Sequence, residues 1–244
     1  MRLFGLIGYP LSHSFSEKYF TAKFEREKIM DCRYQAFPIA TIDQLPGLLE
    51  TQQELSGLNV TIPYKREVLP FLNEIHLPEG LNACNCIRIQ DGVLHGYNTD
   101  WTAFRESIYP GIHGGIRAAL VLGNGGAAEA VSFALKSMDI AVHIVSRTPG
   151  NGATYSYGQL DEQVMNEHKL IVNTTPLGLY PHTAACPEIP YQFLAREHLL
   201  FDLVYNPSKT VFLQKGEERG ATIMNGEVML VLQAEESWRI WNDG

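Results

Sequence analysis

Two segments of this chain put groups able to move a proton at the ends of strand-like runs. In Asn59-Val60-Thr61-Ile62-Pro63-Tyr64-Lys65 a hydroxyl stands at a strand end and an amine follows one helical turn later, so both can face one cleft. Asn98-Thr99-Asp100 forms a polar cluster at another strand end, where binding residues of α/β sheets gather. An ammonium such as Lys65 can both stabilise a developing oxyanion and protonate it, although an isolated lysine is ordinarily a solvated surface charge. A third segment, Tyr9-Pro10-Leu11-Ser12-His13-Ser14-Phe15-Ser16, alternates hydroxyls just before a helix, where they either cap it or bind a carboxylate.

A different chemistry is written in Gly123-Asn124-Gly125-Gly126-Ala127-Ala128, which fits the pattern G-x-G-x-x-A between a strand and a helix. The glycines allow a tight turn and close backbone approach, and the free amides with the helix dipole attract a pyrophosphate. At the end of the next strand, a carboxylate would accept from a ribose 2'-hydroxyl and repel a 2'-phosphate. This chain carries Ser146-Arg147-Thr148 there, a permanent planar cation between hydroxyls, which favours NADP over NAD.

Periodicity supplies the elements that must hold these groups. Strand patterns at 3–8, 33–39 and 57–61 alternate with helical patterns at 17–29, 41–53 and 64–72. Strands at 84–89 and 93–97 flank an Asp91-Gly92 hairpin turn, and Asp100 is placed to cap a helix starting at Trp101. A second alternating series follows, with a strand at 118–122, a helix at 126–138 and a strand at 140–145. Strands at 170–173, 199–204 and 222–224 suit a parallel sheet, and a last helix spans 227–241. The expectation is an α/β chain of two domains, with a composition break at 108–115 or a helix at 101–108 as the connection.

The chain has 244 residues, 45% hydrophobic and 19% charged, an ordinary globular composition. A formal net charge of -8 excludes a basic footprint for nucleic acid or an anionic membrane, so a small-molecule partner is expected. No apolar run is long enough to span a bilayer and no signal-peptide pattern opens the chain, so the expected compartment is the cytoplasm. Cys32, Cys84, Cys86 and Cys186 offer only one Cys-x-Cys pair, so reduced thiols and no metal site are expected.

Taken together, the Ser-x-Ser loop, NVTIPYK, Asn85, GYNTD, GNGGAA, SRT, NTTPLG, YNPSKT and the closing NGEVMLVLQAEESW resemble the shikimate dehydrogenase family, in its order and over essentially the whole chain. The resemblance implies a substrate domain at 1–103, a Rossmann-type NADP domain at 104–225, and a terminal helix at 226–244 returning to the first domain. It implies reversible hydride transfer between NADPH and the ring ketone of 3-dehydroshikimate, in a monomer or homodimer. Lys65 would be the general acid/base and Asp100 its polar partner. Ser14 and Ser16 would hold the substrate carboxylate, while Thr61, Asn85, Asp100 and Gln233 bind ring hydroxyls and the reacting oxygen, and Tyr205 lines the same cleft. Gly123, Asn124, Gly125, Gly126 and Ala127 would meet the pyrophosphate, Ser146, Arg147 and Thr148 the 2'-phosphate, and Leu203 and Gly226 the nicotinamide end. The chain departs from the family pattern at Asn82-Ala83-Cys84-Asn85-Cys86, at Ser146, at Trp101 and Ala103, and at Pro149-Gly150-Asn151, where relatives often carry a second basic residue. A quinate/shikimate dehydrogenase would share the carboxylate clamp and the lysine. A catalytically idle NADP- or shikimate-binding regulatory paralogue would have no need of Lys65 and Asp100.

Overall fold

The computed structural model describes residues 1–11, 15–148, 150 and 152–243. They divide into two compact units, Met1–Thr99 with Gln233–Gly244, and Asp100–Leu232. Each has its own six-stranded sheet.

The first unit contains β1 (Arg2–Gly8), α1 (Phe15–Glu27), β2 (Cys32–Pro38), α2 (Leu45–Thr51), β3 (Leu55–Val60), β4 (Glu74–Ile75), β5 (Cys86–Gln90) and β6 (Val93–Tyr97). The sheet order is β2-β1-β3-β5-β6-β4. β1 runs parallel to β2 and β3, while the β5–β6 hairpin pairs antiparallel to β3. The interior of β1 is apolar without alternation because both of its faces are covered. Leu3 and Ile7 pack with Leu45, Leu58 and Val68 on one side. Phe4 and Leu6 pack with Phe20, Phe24, Tyr34, Ala234, Ile240 and Trp241 on the other. In that second layer Phe4 stacks on Trp241 at 4.8 Å, and Trp241 Nε1 donates to the Ile87 carbonyl at 3.0 Å. The buried Lys23 ammonium is balanced by Glu27 at 3.1 Å and Glu235 at 2.8 Å, so its charge enters the layer paired.

The second unit contains α3 (Asp100–Ile108), β7 (Ala118–Leu122), α4 (Gly126–Lys136), β8 (Ala141–Ser146), β9 (Tyr155–Ser156), α5 (Glu162–Glu167), β10 (Leu170–Asn173), β11 (Leu199–Asp202), α6 (Val211–Glu217), β12 (Thr222–Asn225) and the start of α7 (Glu227–Asn242). Its strands are all parallel in the order β12-β11-β10-β7-β8-β9. Counted from β7 this is 6-5-4-1-2-3, the doubly wound order of dinucleotide-binding sheets. Period-two alternation sends Ala119, Val121 and Val172 to one face with Val131 and Leu135 of α4. Leu120, Leu122 and Ile171 go to the other face with Met165, Phe212 and Leu213 of α5 and α6.

Residues 64–72, expected as a helix, instead form successive turns ending in a 3-10 turn at Leu69–Phe71. In an α-helix the Lys65 carbonyl would accept from Leu69. Here it accepts from Cys84 N at 2.7 Å, and Leu69 N turns to the Arg66 carbonyl at 3.2 Å. Pro70 removes a further donor and disfavours helix at Leu69. Residues 41–53 break similarly into a 3-10 turn at Ile42–Gln44 and α2, which starts beside Pro46. The short elements β4, β9, α5 and α6 have no counterpart in the sequence reading, being too brief to show a period.

Candidate active site

Lys65 is half-buried and its backbone is pinned on both sides. Its predecessor Tyr64 is buried and donates its hydroxyl to the Ile39 carbonyl at 2.7 Å, and the Lys65 carbonyl takes the Cys84 amide. Thr61, at the end of β3, is held by its amide to the Ile7 carbonyl at 2.9 Å, and its own carbonyl accepts from Tyr64 N at 2.9 Å. The sequence separation of Thr61 and Lys65 is therefore realised through a tight turn tied to the loop before β5.

That loop delivers Asn85, which is buried and engaged on both amide atoms. Its Oδ1 accepts from Thr99 N at 2.6 Å and its Nδ2 donates to Thr99 Oγ1 at 3.0 Å. Asn98 is fixed in the same way by donating to the Ala83 carbonyl at 2.6 Å. Together these bonds lock Asn98-Thr99 onto the NACNC segment. Asp100 is the first residue of α3 and is buried.

Behind Asn85 runs a buried polar network that the sequence reading missed. Tyr34 donates its hydroxyl to Asn59 Oδ1 at 2.9 Å, and Asn59 Nδ2 donates to Ser237 Oγ at 2.9 Å and to the Asn85 carbonyl at 3.3 Å. Ser237 in turn donates to the Gln233 carbonyl at 2.8 Å and lies 3.4 Å from Thr99 Oγ1. Burial pushes the Tyr34 hydroxyl well above its ordinary pKa, with a hydrogen bond from Ser16 pulling the other way. Burial likewise raises the neighbouring Cys86 thiol, against a hydrogen bond from Ser237. The network therefore stays neutral and links Ser16, Asn85 and the backbone of Gln233. Its sequence signal was faint: a polar Asn59 inside a buried strand, and Ser237 at helical spacing between Ala234 and Trp241.

Ser16 is the second residue of α1. Ser14, with Ser12 and His13, lies outside the described residues, as do Pro149 and Asn151.

In the second unit, Gly123 follows β7 at φ +111°, a conformation suited to glycine, and a Cβ there would meet Thr174 Oγ1 at 2.7 Å. Its amide reaches back to the Val145 carbonyl at 2.9 Å, while Thr174 donates to the Leu122 carbonyl through N at 3.0 Å and Oγ1 at 2.7 Å. The glycine turn thus sits where β7 and its neighbour β10 diverge, the switch point at which ligands of doubly wound sheets bind. Gly125 caps α4 with no side chain, Asn124 is exposed, and Gly126 and Ala127 begin the helix, so the first-turn amides are left for an anion. Ser146 ends β8, and the exposed Arg147 and Thr148 follow it. Gly226 packs on the backbone of Leu203, where a Cβ would lie 2.3 Å from the Leu203 carbonyl oxygen. These residues, 23 apart in sequence, are brought together at the ends of β11 and β12.

A second buried network orders the loops at that end. Asp202 accepts from Asn173 Nδ2 at 2.9 Å, Val204 N at 3.0 Å and Thr210 Oγ1 at 2.5 Å. Burial nevertheless pushes its carboxyl up to about 6. Asn173 Oδ1 takes the amide and hydroxyl of Thr175 at 3.1 and 2.6 Å. Tyr205 follows, half-buried, its hydroxyl raised by burial.

The geometry suits a pyrophosphate dinucleotide in the second unit and a small hydroxylated ligand in the first. A family model described as the shikimate dehydrogenase substrate binding domain matches residues 6–87. Shikimate dehydrogenase (NADP(+)) of Methanococcus maripaludis is 35% identical over 98% of this chain and 91% of its own length. The enzyme of the same name from Syntrophomonas wolfei is 36% identical over 95% and 86%. A crystal structure of shikimate 5-dehydrogenase from Thermus thermophilus, in complex with NADP(H) and shikimate, superposes with a TM-score of 0.86 at 30% identity, covering 99% of this chain and 94% of that one. This chain, with a mixed substrate-type unit followed by a Rossmann sheet, belongs to the shikimate dehydrogenase family.

Proposed function

We propose that this protein is an NADP-dependent oxidoreductase that interconverts 3-dehydroshikimate and shikimate. The observation that carries the reading is the tethering of motifs within the first unit: the Lys65 turn to Cys84, and Asn85 to Thr99, the residue next to Asp100 in the chain. The full-length likeness to NADP-dependent shikimate dehydrogenases supports the same chemistry. Residues 1–103 form the substrate domain in this reading, 104–225 the NADP domain, and 226–244 the returning helix. No helix among the described residues is long and apolar enough to cross a membrane. Four free cysteines, three of them buried, suit a reducing cytoplasm. The protein acts there as a monomer or homodimer on small molecules.

The residues present fit the cofactor. Gly123 to Ala127 offer the tight turn and uncapped helix start for the pyrophosphate, Ser146, Arg147 and Thr148 the donors for the 2'-phosphate, and Leu203 and Gly226 the close-packed floor near the nicotinamide. NADP(H), when bound, supplies or accepts the hydride. Ser14 and Ser16 hold the substrate carboxylate, while Thr61, Asn85, Asp100, Tyr205 and Gln233 orient the ring. Reduction of the ketone leaves negative charge on its oxygen, which the Lys65 ammonium stabilises and then protonates. Asp100 keeps that amine and the substrate hydroxyl in register.

The test is turnover of shikimate with NADP by purified protein, followed by NADPH absorbance, alongside Lys65→Ala. The variant should lose about 10² to 10⁴ in turnover while keeping its fold and NADP affinity. Near-normal turnover of a folded variant at saturating shikimate would assign the proton to another group. Preference for quinate in the wild type would replace the substrate.

A further inference from the structure

At the outer edge of the first sheet, Glu74, His76 and His95, none of which is assigned to the reaction, converge. β4 pairs parallel with β6 so that Glu74 lies opposite His95 and Ile75 opposite Gly96, and His76 N continues the ladder to the Gly96 carbonyl at 2.8 Å. The ladder starts at Asn73, whose amide donates to the Leu94 carbonyl at 3.0 Å and whose Oδ1 accepts from Leu94 N at 2.8 Å. Alternation along the strands sends residues 74, 76, 95 and 97 to one face. There the His76 ring stacks on His95 at 5.5 Å and on Tyr97 at 4.8 Å, which restricts its orientation. Arg88, opposite His95 on β5, gives its guanidinium to the Asp243 carbonyl.

Three single atoms define the cluster. His76 Nε2 is 3.3 Å from His95 Nδ1, His95 Nδ1 is 3.1 Å from Glu74 Oε2, and Glu74 Oε2 is 3.3 Å from His76 Nε2. Hydrogen bonds cannot fill all three sides of this triangle. If each imidazole nitrogen donates to the carboxylate, the two nitrogens face each other as N–H groups. If one accepts from the other, it has no proton for the carboxylate. A cation satisfies all three lone pairs at once. Ligands about 2.0 to 2.1 Å from a tetrahedral Zn²⁺ are about 3.3 to 3.4 Å apart, nearly the edges seen here. Two imidazoles and one carboxylate suit zinc and neighbouring first-row metals, whereas Mg²⁺ and Ca²⁺ take oxygen shells.

We propose that Glu74, His76 and His95 form a site for a divalent transition-metal ion of the zinc class, which fastens the two-residue edge strand β4 onto β6 and leaves its remaining coordination to water. This inference is independent of the catalytic reading. The sequence shows no such site on its face, because His95 lies 19 residues beyond His76, outside any short ligand motif.

The experiment is calorimetric titration of the chelator-treated full chain with ZnCl₂, with CoCl₂ absorption as a reporter of coordination and MgCl₂ as a control. One saturable Zn²⁺ site is expected, with Co²⁺ giving the intense visible bands of tetrahedral coordination. His76→Ala, which alters an exposed side chain, and Glu74→Gln should each weaken binding by at least about tenfold while leaving the circular dichroism unchanged. No Zn²⁺ binding by the wild type would overturn the proposal, as would unaltered binding in both variants or equal affinity for Mg²⁺.

Discussion

Ser237→Ala tests whether the network behind Asn85 positions substrate-binding groups or merely fills the core. The Ser237 hydroxyl is fully buried, accepts from Asn59 at 2.9 Å and donates to the Gln233 carbonyl at 2.8 Å. Alanine removes one oxygen and creates almost no cavity, so the cost is electrostatic. Asn59 Nδ2 keeps only its 3.3 Å contact to the Asn85 carbonyl, and the Gln233 carbonyl loses a donor. Leaving a buried amide under-satisfied costs about 1 to 3 kcal/mol. For a chain of this size that lowers the melting temperature by about 2 to 12 °C. The functional readout is separate: Thr99 and Asn85 lose a neighbour at 3.4 Å and their shared backing, so the Michaelis constant for shikimate should rise about five- to tenfold, equivalent to about 1 to 1.4 kcal/mol. The constant for NADP should not move, since the glycine turn proposed to hold it lies in the other unit. Steady-state kinetics with each substrate varied, plus a melting curve, decide the matter. A lowered melting temperature with an unchanged shikimate constant would refute the positioning role, and unchanged values of both would refute the energetic reasoning as well.

Arg147→Ala should weaken NADP by about 1.5 to 3 kcal/mol, roughly tenfold or more, and leave NAD unaffected; an unchanged NADP/NAD ratio would move the 2'-phosphate elsewhere. Gly226→Ala forces a Cβ to within 2.3 Å of the Leu203 carbonyl, which is backbone and cannot rotate away, so stability should fall by about 1 to 3 kcal/mol and the NADP constant should rise. Wild-type melting and kinetics in that variant would show that the β11 and β12 ends are slack. Asp202, raised by burial from 3.8 to about 6, contributes stability that is fully present below 3.8 and lost as pH rises through 6. The stability of wild type relative to Asp202→Asn should therefore drop by about 3 kcal/mol across that window and be flat above it. Denaturant titrations at several pH values would refute this if the difference were independent of pH.

The sequence alone determined the local chemistry: a glycine turn between a strand and a helix, an arginine where a carboxylate would select NAD, and a lysine after a strand end. Its periodicity and apolar runs also marked most strands and the longer helices of both units, because an apolar strand or a helix of several turns with a buried face carries a readable pattern. Shorter pieces such as β4 and β9 carry none, and they form only because a neighbouring strand offers an unpaired edge. The turn at 64–72 shows the same limit from the other side: a helical pattern was overridden when Cys84, distant in sequence, captured the Lys65 carbonyl. Tertiary structure likewise decided the meeting of Tyr34, Asn59, Thr99 and Ser237, of Gly226 with Leu203, and of Glu74 and His76 with His95. Each of these joins residues separated by many positions, through hydrogen-bond directions and strand register that no single stretch of sequence encodes.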